Sequence, residues 1–410
     1  MNVEFQDLLS PESKRDAVSF FTRWREAGPL GHVREPDGSG NLWVVLGYED
    51  SIAVLSDPRF IKDRARAVAS TNTPGQPGGS SAALSWRRDM LRVDPPDHTR
   101  LRSILAKAFT PHAVERLRPF IQRRTDALLD AVRGRGHMDV ISELAFPLPI
   151  AVLCELLGIA PAACSQFSAM AHALLLAPDA AADSQAADAT ASLLEELLQS
   201  IKGLIAKKRV DPGPDLTSAL IRAAEGEGAV LSEIELVSML WLLIYAGYET
   251  TVNLIGNGVL ALLQHPRELR KLQQDPSLLP AAVEEILRYT TPVLLSTPRF
   301  ASQDISLHGK VIRKGERVFV SLIAADTDPR GFVDPQRFDV TRPEKESRHL
   351  AFGRGIHYCL GAPLARLEGQ IALGTLLKRL PSLRPAQELA ELSWTQNLLA
   401  RGVHSLKVAF

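Results

Sequence analysis

A helical pattern runs from Ser232 to Gln264, and its first half is almost wholly apolar. That is far longer than the mean globular helix of ~11–12 residues. Ser232 followed by Glu235 gives a capping-box start. The longest apolar stretch, Leu236 to Gly247, is broken by Ser238 and stops before Glu249. It falls short of the ~20 residues that span a bilayer. A helix of this kind must be buried along its length, so the spacing predicts a protein built around it.

The rest of the chain is also read as mainly helical. Residues 161–176, 185–209 and 280–289 are rich in Ala, Leu, Glu and Lys. Strand-like alternation is confined to 41–46, 305–312 with a central His308-Gly309, 317–322 and the tail 405–410. Two segments read as mobile loops, 70–81 on its Gly/Pro/Ser/Thr content and, more weakly, 177–184. Residues 326–343 read as a long ordered excursion. No repeat or clean linker divides the chain, so one domain over 1–410 is expected. Its small β-rich region would come from the N-terminal part and residues 290–325.

Charge narrows the partners. Lys+Arg and Asp+Glu are 47 each, which argues against a nucleic-acid binder. The N-terminus lacks a basic stretch followed by an apolar run, so a cytoplasmic protein, not membrane-bound, is expected. The three cysteines, Cys154, Cys164 and Cys359, contain no CxxC spacing. They are read as neither a disulfide scaffold nor a zinc cluster, and any cysteine that matters is expected to act alone.

Cys359 has the most informative surroundings. It lies in Phe352-Gly353-Arg354-Gly355-Ile356-His357-Tyr358-Cys359-Leu360-Gly361. The glycines permit positive φ and close backbone approach. Leu360, Leu364, Leu367 and Ile371 follow at helical spacing, with Pro363 in the first turn. A cysteine at a helix N-terminus is biased towards thiolate. On these grounds it could be a nucleophile, a single axial metal ligand or a buried structural residue. The full string decides among these. It resembles the haem-binding loop of the cytochrome P450 family at every fixed position, which implies that Cys359 is the thiolate ligand of haem b (iron protoporphyrin IX). Phe352, Gly353, His357 and Gly361 would complete that loop.

Tyr245-Ala246-Gly247-Tyr248-Glu249-Thr250-Thr251 interrupts the apolar run of the long helix. Buried carboxylates are costly without partners, so local rule-breaking here points to function. The string is similar to the oxygen-activation segment of the same family. The resemblance implies that Ala246 and Gly247 lie against the cofactor and that the helix bulges at Gly247. Glu249 and Thr250 would form an acid–alcohol proton relay.

Asp94-Pro95-Pro96-Asp97-His98-Thr99-Arg100-Leu101-Arg102 starts a helix, with Asp94 as its expected cap. His98 and Arg102 share a face and suit a carboxylate. The resemblance makes them, with Arg299, contacts of the haem propionates. It also implies a structural triad of Glu285, Arg288 and Arg337. The family's usual Asn after Ala325 is here Asp326, which leaves the hydrogen bonding there open.

The implied fold is mainly α with small β sheets, the long helix over the haem and the cysteine loop before a proximal helix. The implied activity is oxygen insertion from O2 into a C–H bond or alkene of a hydrophobic small molecule such as a polyketide, macrolide, terpenoid or fatty acid. Met90, Leu91, Leu243, Val293, Leu294, Leu295, Leu398 and Leu399 would line the pocket. Electrons would come from NAD(P)H through a ferredoxin and a ferredoxin reductase, docking near Arg100, Lys107, Arg348 and Arg354 of a monomer. A peroxide-driven peroxygenase and a non-catalytic haem sensor or carrier are the alternatives.

Overall fold

The run Asn41-Leu42-Trp43-Val44-Val45 is apolar at consecutive positions rather than alternate ones, because both faces of its strand are covered. In the computed structural model, residues 3–35, 38, 40–68, 87–176, 184–225, 230–343 and 348–410 are described. The loops expected at 70–81 and 177–183 lie outside them. Five strands form the main sheet: β1 (Leu30–Arg34), β2 (Asn41–Val45), β3 (Phe60–Ile61), β4 (Arg299–Ala301) and β5 (Arg317–Val320), in the order β1-β2-β5-β4-β3. Only β2 and β5 are parallel, with Leu42 opposite Arg317 and Val45 opposite Val320. Trp43, Val45, Val318 and Val320 point to one core. Leu42, Val44 and Phe319 point to another, shared with Phe21 and Trp24.

Four helices carry several of the residues singled out above: α1 (Asp97–Ala106), α2 (Glu233–Gln264), α3 (Leu279–Thr290) and α4 (Ala362–Arg379). The start of α2 follows its sequence. Glu235 N–H donates to Ser232 Oγ (3.3 Å), and Ser232 N–H donates to Glu235 Oε2 (2.8 Å). The expected cap of α1 differs. The carbonyl of Asp94 accepts from His98 N–H (3.1 Å) at the start of α1, and Pro96 stands at the cap position. Residues 305–312, expected as strand, form a hairpin with His308 and Gly309 both at positive φ.

The chain divides into two compact units, each assembled from separate stretches. One unit takes Met1–Ser80, Asn253–Ala362 and Arg384–Leu406, and holds the five-stranded sheet and α3. The other takes Ser81–Val252, Pro363–Leu383 and Lys407–Phe410. In this second unit the tail strand Lys407–Ala409 pairs with His137–Asp139. Arg379 of α4 donates to the Asp126 carbonyl (3.0 Å), and Gln122 donates to Thr375 Oγ1 (3.0 Å).

Cysteine usage departs from expectation. Cys154 and Cys164 are joined as a disulfide between the helices Pro147–Leu157 and Pro161–Leu176. The turn at Gly158 reverses the chain and brings the two side chains together, which spacing alone did not suggest. Cys359 takes no part in that disulfide.

The brace around Glu285 is also corrected at one member. Arg288 donates from Nε to Glu285 Oε2 (2.7 Å) and from Nη2 to Oε1 (2.8 Å), as expected. The second guanidinium is that of Arg342, whose Nε donates to Glu285 Oε2 (3.0 Å). Arg337 turns its side chain outward, 60% exposed, to Asp339 (3.1 Å). It contributes its carbonyl, which accepts from both Arg288 and Arg342. Arg288 also reaches the carbonyls of Asp326 and Pro335, and Arg342 those of Val333 and Asp334. One buried carboxylate and two buried guanidiniums thereby satisfy the irregular backbone of 326–343.

Candidate active site

The cysteine loop is held by backbone bonds in the first unit. Cys359 N–H donates to the Phe352 carbonyl (2.9 Å), Tyr358 N–H to Gly355 (3.0 Å) and Gly353 N–H to Leu350 (2.7 Å). Two glycines make the turn possible. Gly353 and Gly355 have φ of 69° and 76°, and a Cβ on Gly355 would lie 2.6 Å from the Leu55 carbonyl oxygen. Cys359 is half-buried, three residues ahead of α4, and its carbonyl accepts from Ala362 N–H (3.4 Å). The helix begins at Ala362 rather than directly after the cysteine.

Asp326 settles the question left by its departure from the family pattern. Its carboxylate is fully buried, and Oδ1 accepts from Leu350 N–H (2.6 Å), two residues before Phe352. Burial pushes its pKa up to about 7, against the opposing pull of His349, the Leu350 N–H and Arg288. The acid therefore ties the excursion to the cysteine loop. Its departure from Asn marked the position but not its partner.

In the second unit, α2 opens for one turn. Its residues from Leu236 to Ile244 are buried, whereas Tyr245 is exposed and Ala246, Gly247 and Thr250 are half-buried. Glu249 stays buried at 8% exposure. Burial, with the Glu249 carboxyl group beside it, raises the pKa of the neighbouring Tyr248 phenol. Thr250 Oγ1 donates to the Ala246 carbonyl one turn back (3.1 Å). The expected bulge is absent, and α2 runs unbroken through Gly247. The glycine instead admits Leu153, whose Cδ2 would lie 3.0 Å from a Cβ at 247.

The basic residues fall in both units. His98 on α1 is buried at 2% exposure and Arg102 is half-buried. Arg299 opens β4 at 3% exposure. Arg100, expected on a docking face, is committed elsewhere, with ion pairs to Glu235 (2.5 Å) and Asp97 (2.9 Å) that join α1 to the start of α2. Lys107, Arg348 and Arg354 are exposed.

The pocket candidates divide by environment. Leu294 and Leu295 belong to the core behind the sheet, with Leu398 and Leu399 packed against it. Val293 packs on the other face. Met90 and Leu243 are buried and Leu91 is half-buried. Tyr245 is the exposed side chain on that turn of α2. Glu368 on α4 was passed over by sequence reasoning. It is buried, with Oε2 lacking a hydrogen-bond partner among the described residues, and burial pushes its pKa up to about 8.

Known proteins share this sequence pattern and backbone fold. Residues 165–389 match the family model described as Cytochrome P450. The chain is 45% identical over 415 residues to cytochrome P450 CYP107DY1 of Priestia megaterium, covering 100% of this chain and 99% of that protein. The structure of the bacillaene polyketide synthase cytochrome P450 PksS of Bacillus subtilis 168 superposes with a TM-score of 0.88 at 38% identity, covering 98% of each chain. Myxobacterial cytochrome P450 CYP267B1 in complex with myristic acid superposes with a TM-score of 0.89 at 41% identity, covering 99% of each. Sequence and backbone agree from end to end, so this chain belongs to the cytochrome P450 family and is a haem-thiolate monooxygenase, an oxidoreductase that incorporates oxygen from O2.

Proposed function

We propose that Cys359 is the thiolate that holds haem b in this chain. The observation that carries this reading is the half-buried Cys359, outside the disulfide, on a glycine loop held by backbone hydrogen bonds ahead of α4. The donor set suits the group: one soft thiolate for iron, and basic side chains buried deeply enough to favour an anion. His98, Arg102 and Arg299 would bind the propionates. Phe352, Gly353, His357 and Gly361 would shape the loop, and Ala246 and Gly247 would face the ring. A Cβ at Gly353 would meet nothing within 4 Å, so the loop leaves space on that side. Bound there, haem iron supplies the activation of O2 and the insertion of one oxygen atom.

Glu249 and Thr250 are the chain's own contribution to proton control. Glu249 is the acid near enough in sequence and deep enough in burial to hold a proton away from bulk water. The Thr250 hydroxyl rests on the Ala246 carbonyl and must turn from it to pass a proton on. An intact acid and alcohol favour O2 over peroxide as the oxidant.

The substrate is a hydrophobic small molecule, hydroxylated at C–H or epoxidised at an alkene. The polyketide synthase context of PksS and the myristic acid bound to CYP267B1 support a polyketide, macrolide, terpenoid or fatty acid. Met90, Leu91 and Leu243 in one unit, and Val293, Leu294, Leu295, Leu398 and Leu399 in the other, remain the pocket candidates. We further infer that electrons pass from NAD(P)H through a ferredoxin reductase and a ferredoxin, received at exposed Lys107, Arg348 and Arg354. The chain works as a cytoplasmic monomer and as a single functional domain. No helix among the described residues is long and apolar enough to cross a membrane.

Isotope labelling tests the reaction. Under 18O2 with reductant and a ferredoxin system, the product should carry one labelled oxygen. Label arriving only from added peroxide would favour a peroxygenase, and no consumption of reductant with any ligand would favour a sensor or carrier.

A further inference from the structure

Tyr245 breaks the burial rule of its helix, and its neighbours show that this is organised. Trp241, one turn earlier, stacks on it with ring centroids 4.7 Å apart and planes at 15°. The Arg87 guanidinium lies 3.5 Å from the Trp241 ring centroid and 6.0 Å from that of Tyr245. Arg87 is itself pinned by Asp89 (3.3 Å), whose side chain is fully buried. The next residue is pinned too, since Arg88 N–H donates to Ser238 Oγ (3.1 Å) on the same helix. Arg87, Trp241 and Tyr245 therefore form one stack whose inner members are buried. Its outer ring stays 44% exposed.

The exposed ring stands at the edge of the open turn. At ~100° per residue, Tyr245 and Thr250 flank Ala246 on either side, and with Gly247 these three are the exposed or half-buried positions of that turn. A flexible apolar side chain there would adapt to many ligands. A ring clamped by a second ring and a guanidinium cannot, and it presents a fixed flat face at little cost in side-chain entropy. Flat π-systems gain from offset stacking on such a face beyond the area they bury, whereas saturated chains gain area alone.

We propose that Tyr245, held by Trp241 and Arg87, is the specificity-determining residue of this monooxygenase and stacks a planar, unsaturated portion of the substrate beside Thr250. The proposal rests on the reading of Ala246–Thr250 as the oxygen-activation turn. It places conjugated or aromatic molecules ahead of saturated ones of equal size.

The test uses haem-loaded protein and two probes matched in carbon skeleton, 6-(2-naphthyl)hexanoic acid and 6-(2-decalyl)hexanoic acid. Dissociation constants come from the ligand-induced change in the visible spectrum. The wild type should bind the naphthyl probe about five-fold more tightly than the decalyl probe. Tyr245→Leu should abolish the preference while leaving decalyl binding within about two-fold, and Tyr245→Phe should retain it. Tyr245→Met serves if the leucine variant does not fold. Equal binding by the wild type, a preference surviving in the leucine or methionine variant, or no binding of either probe would overturn the proposal. The reduced carbon monoxide spectrum of the same samples separates this from failure of the haem-thiolate reading, because it reports the thiolate whatever Tyr245 does.

Discussion

Replacing Asp326 by Asn should reverse the sign of its effect on stability as pH rises. Asp326 is wholly buried, and burial raises its pKa from 3.8 to about 7 in the folded protein. Between these values the unfolded chain releases the proton and the folded chain keeps it. The folded state then binds more protons, so stability falls as pH climbs through this window. The full cost is present above pH 7 and absent below the unfolded value. Some three pKa units at ~1.4 kcal/mol each set a ceiling of ~4 kcal/mol. An Asn can still accept from Leu350 N–H, but its Nδ2 would replace Oδ2, which has no hydrogen-bond partner among the described residues. That orphaned amide costs ~1–3 kcal/mol. Asp326→Asn should therefore gain about 2 kcal/mol at pH 8.5 and lose about 1 kcal/mol at pH 5. Glu368, raised by burial to about 8, titrates across an overlapping range but is common to both proteins and cancels in the difference. At ~2.1 cal/mol/K per residue over the 410-residue chain, 1 kcal/mol shifts the melting temperature by about 1 °C. Thermal scans of both haem-loaded proteins from pH 5 to 8.5 should cross. A melting-temperature difference that is constant with pH, or a variant that worsens as pH rises, would refute the reasoning.

Further tests follow from the same structure. Arg342→Met leaves the buried Glu285 carboxylate with a single guanidinium and should cost ~3–5 kcal/mol, whereas Arg337→Ala should cost under ~1 kcal/mol because that side chain is solvated; denaturant midpoints on the two variants decide between them. Gly355→Ala puts a Cβ 2.6 Å from the Leu55 carbonyl at a φ of 76°, so haem content after purification, read as the ratio of Soret to protein absorbance, should fall severalfold. Thr250→Ala removes the hydroxyl from the relay and should lower product formed per O2 consumed by at least about ten-fold, with peroxide released instead; peroxide-driven turnover that persists undiminished while O2-driven turnover is equally unaffected would show that the hydroxyl has no such role.

The parts of the site that were legible in the sequence are those in which chemistry and backbone are written in adjacent residues. The Cys359 loop needs its glycines within a few positions of the thiol, and Glu249-Thr250 stand out because they interrupt an apolar helix. Features that depend on side-chain direction or distant partners were not legible. Arg337 occupies the motif position, yet its side chain points to water, while Arg342 reaches the carboxylate across the turn. Arg100 looks like a surface cation, but Glu235 lies 135 residues away and captures it. The same holds for Tyr245, whose meaning depends on Arg87, and for the Cys154–Cys164 disulfide, which a reversal at Gly158 creates. The strands at 41–46 and 317–322 were readable, whereas the parallel pairing that sets Leu42 opposite Arg317 was not.

The central claim is that Cys359, as thiolate, holds haem iron. The absorption spectrum of the reduced carbon monoxide complex measures this directly. The wild type should show the red-shifted band of thiolate-ligated haem, and Cys359→Ala should lose it. A wild type without that band, or an alanine variant that keeps it, would contradict the account.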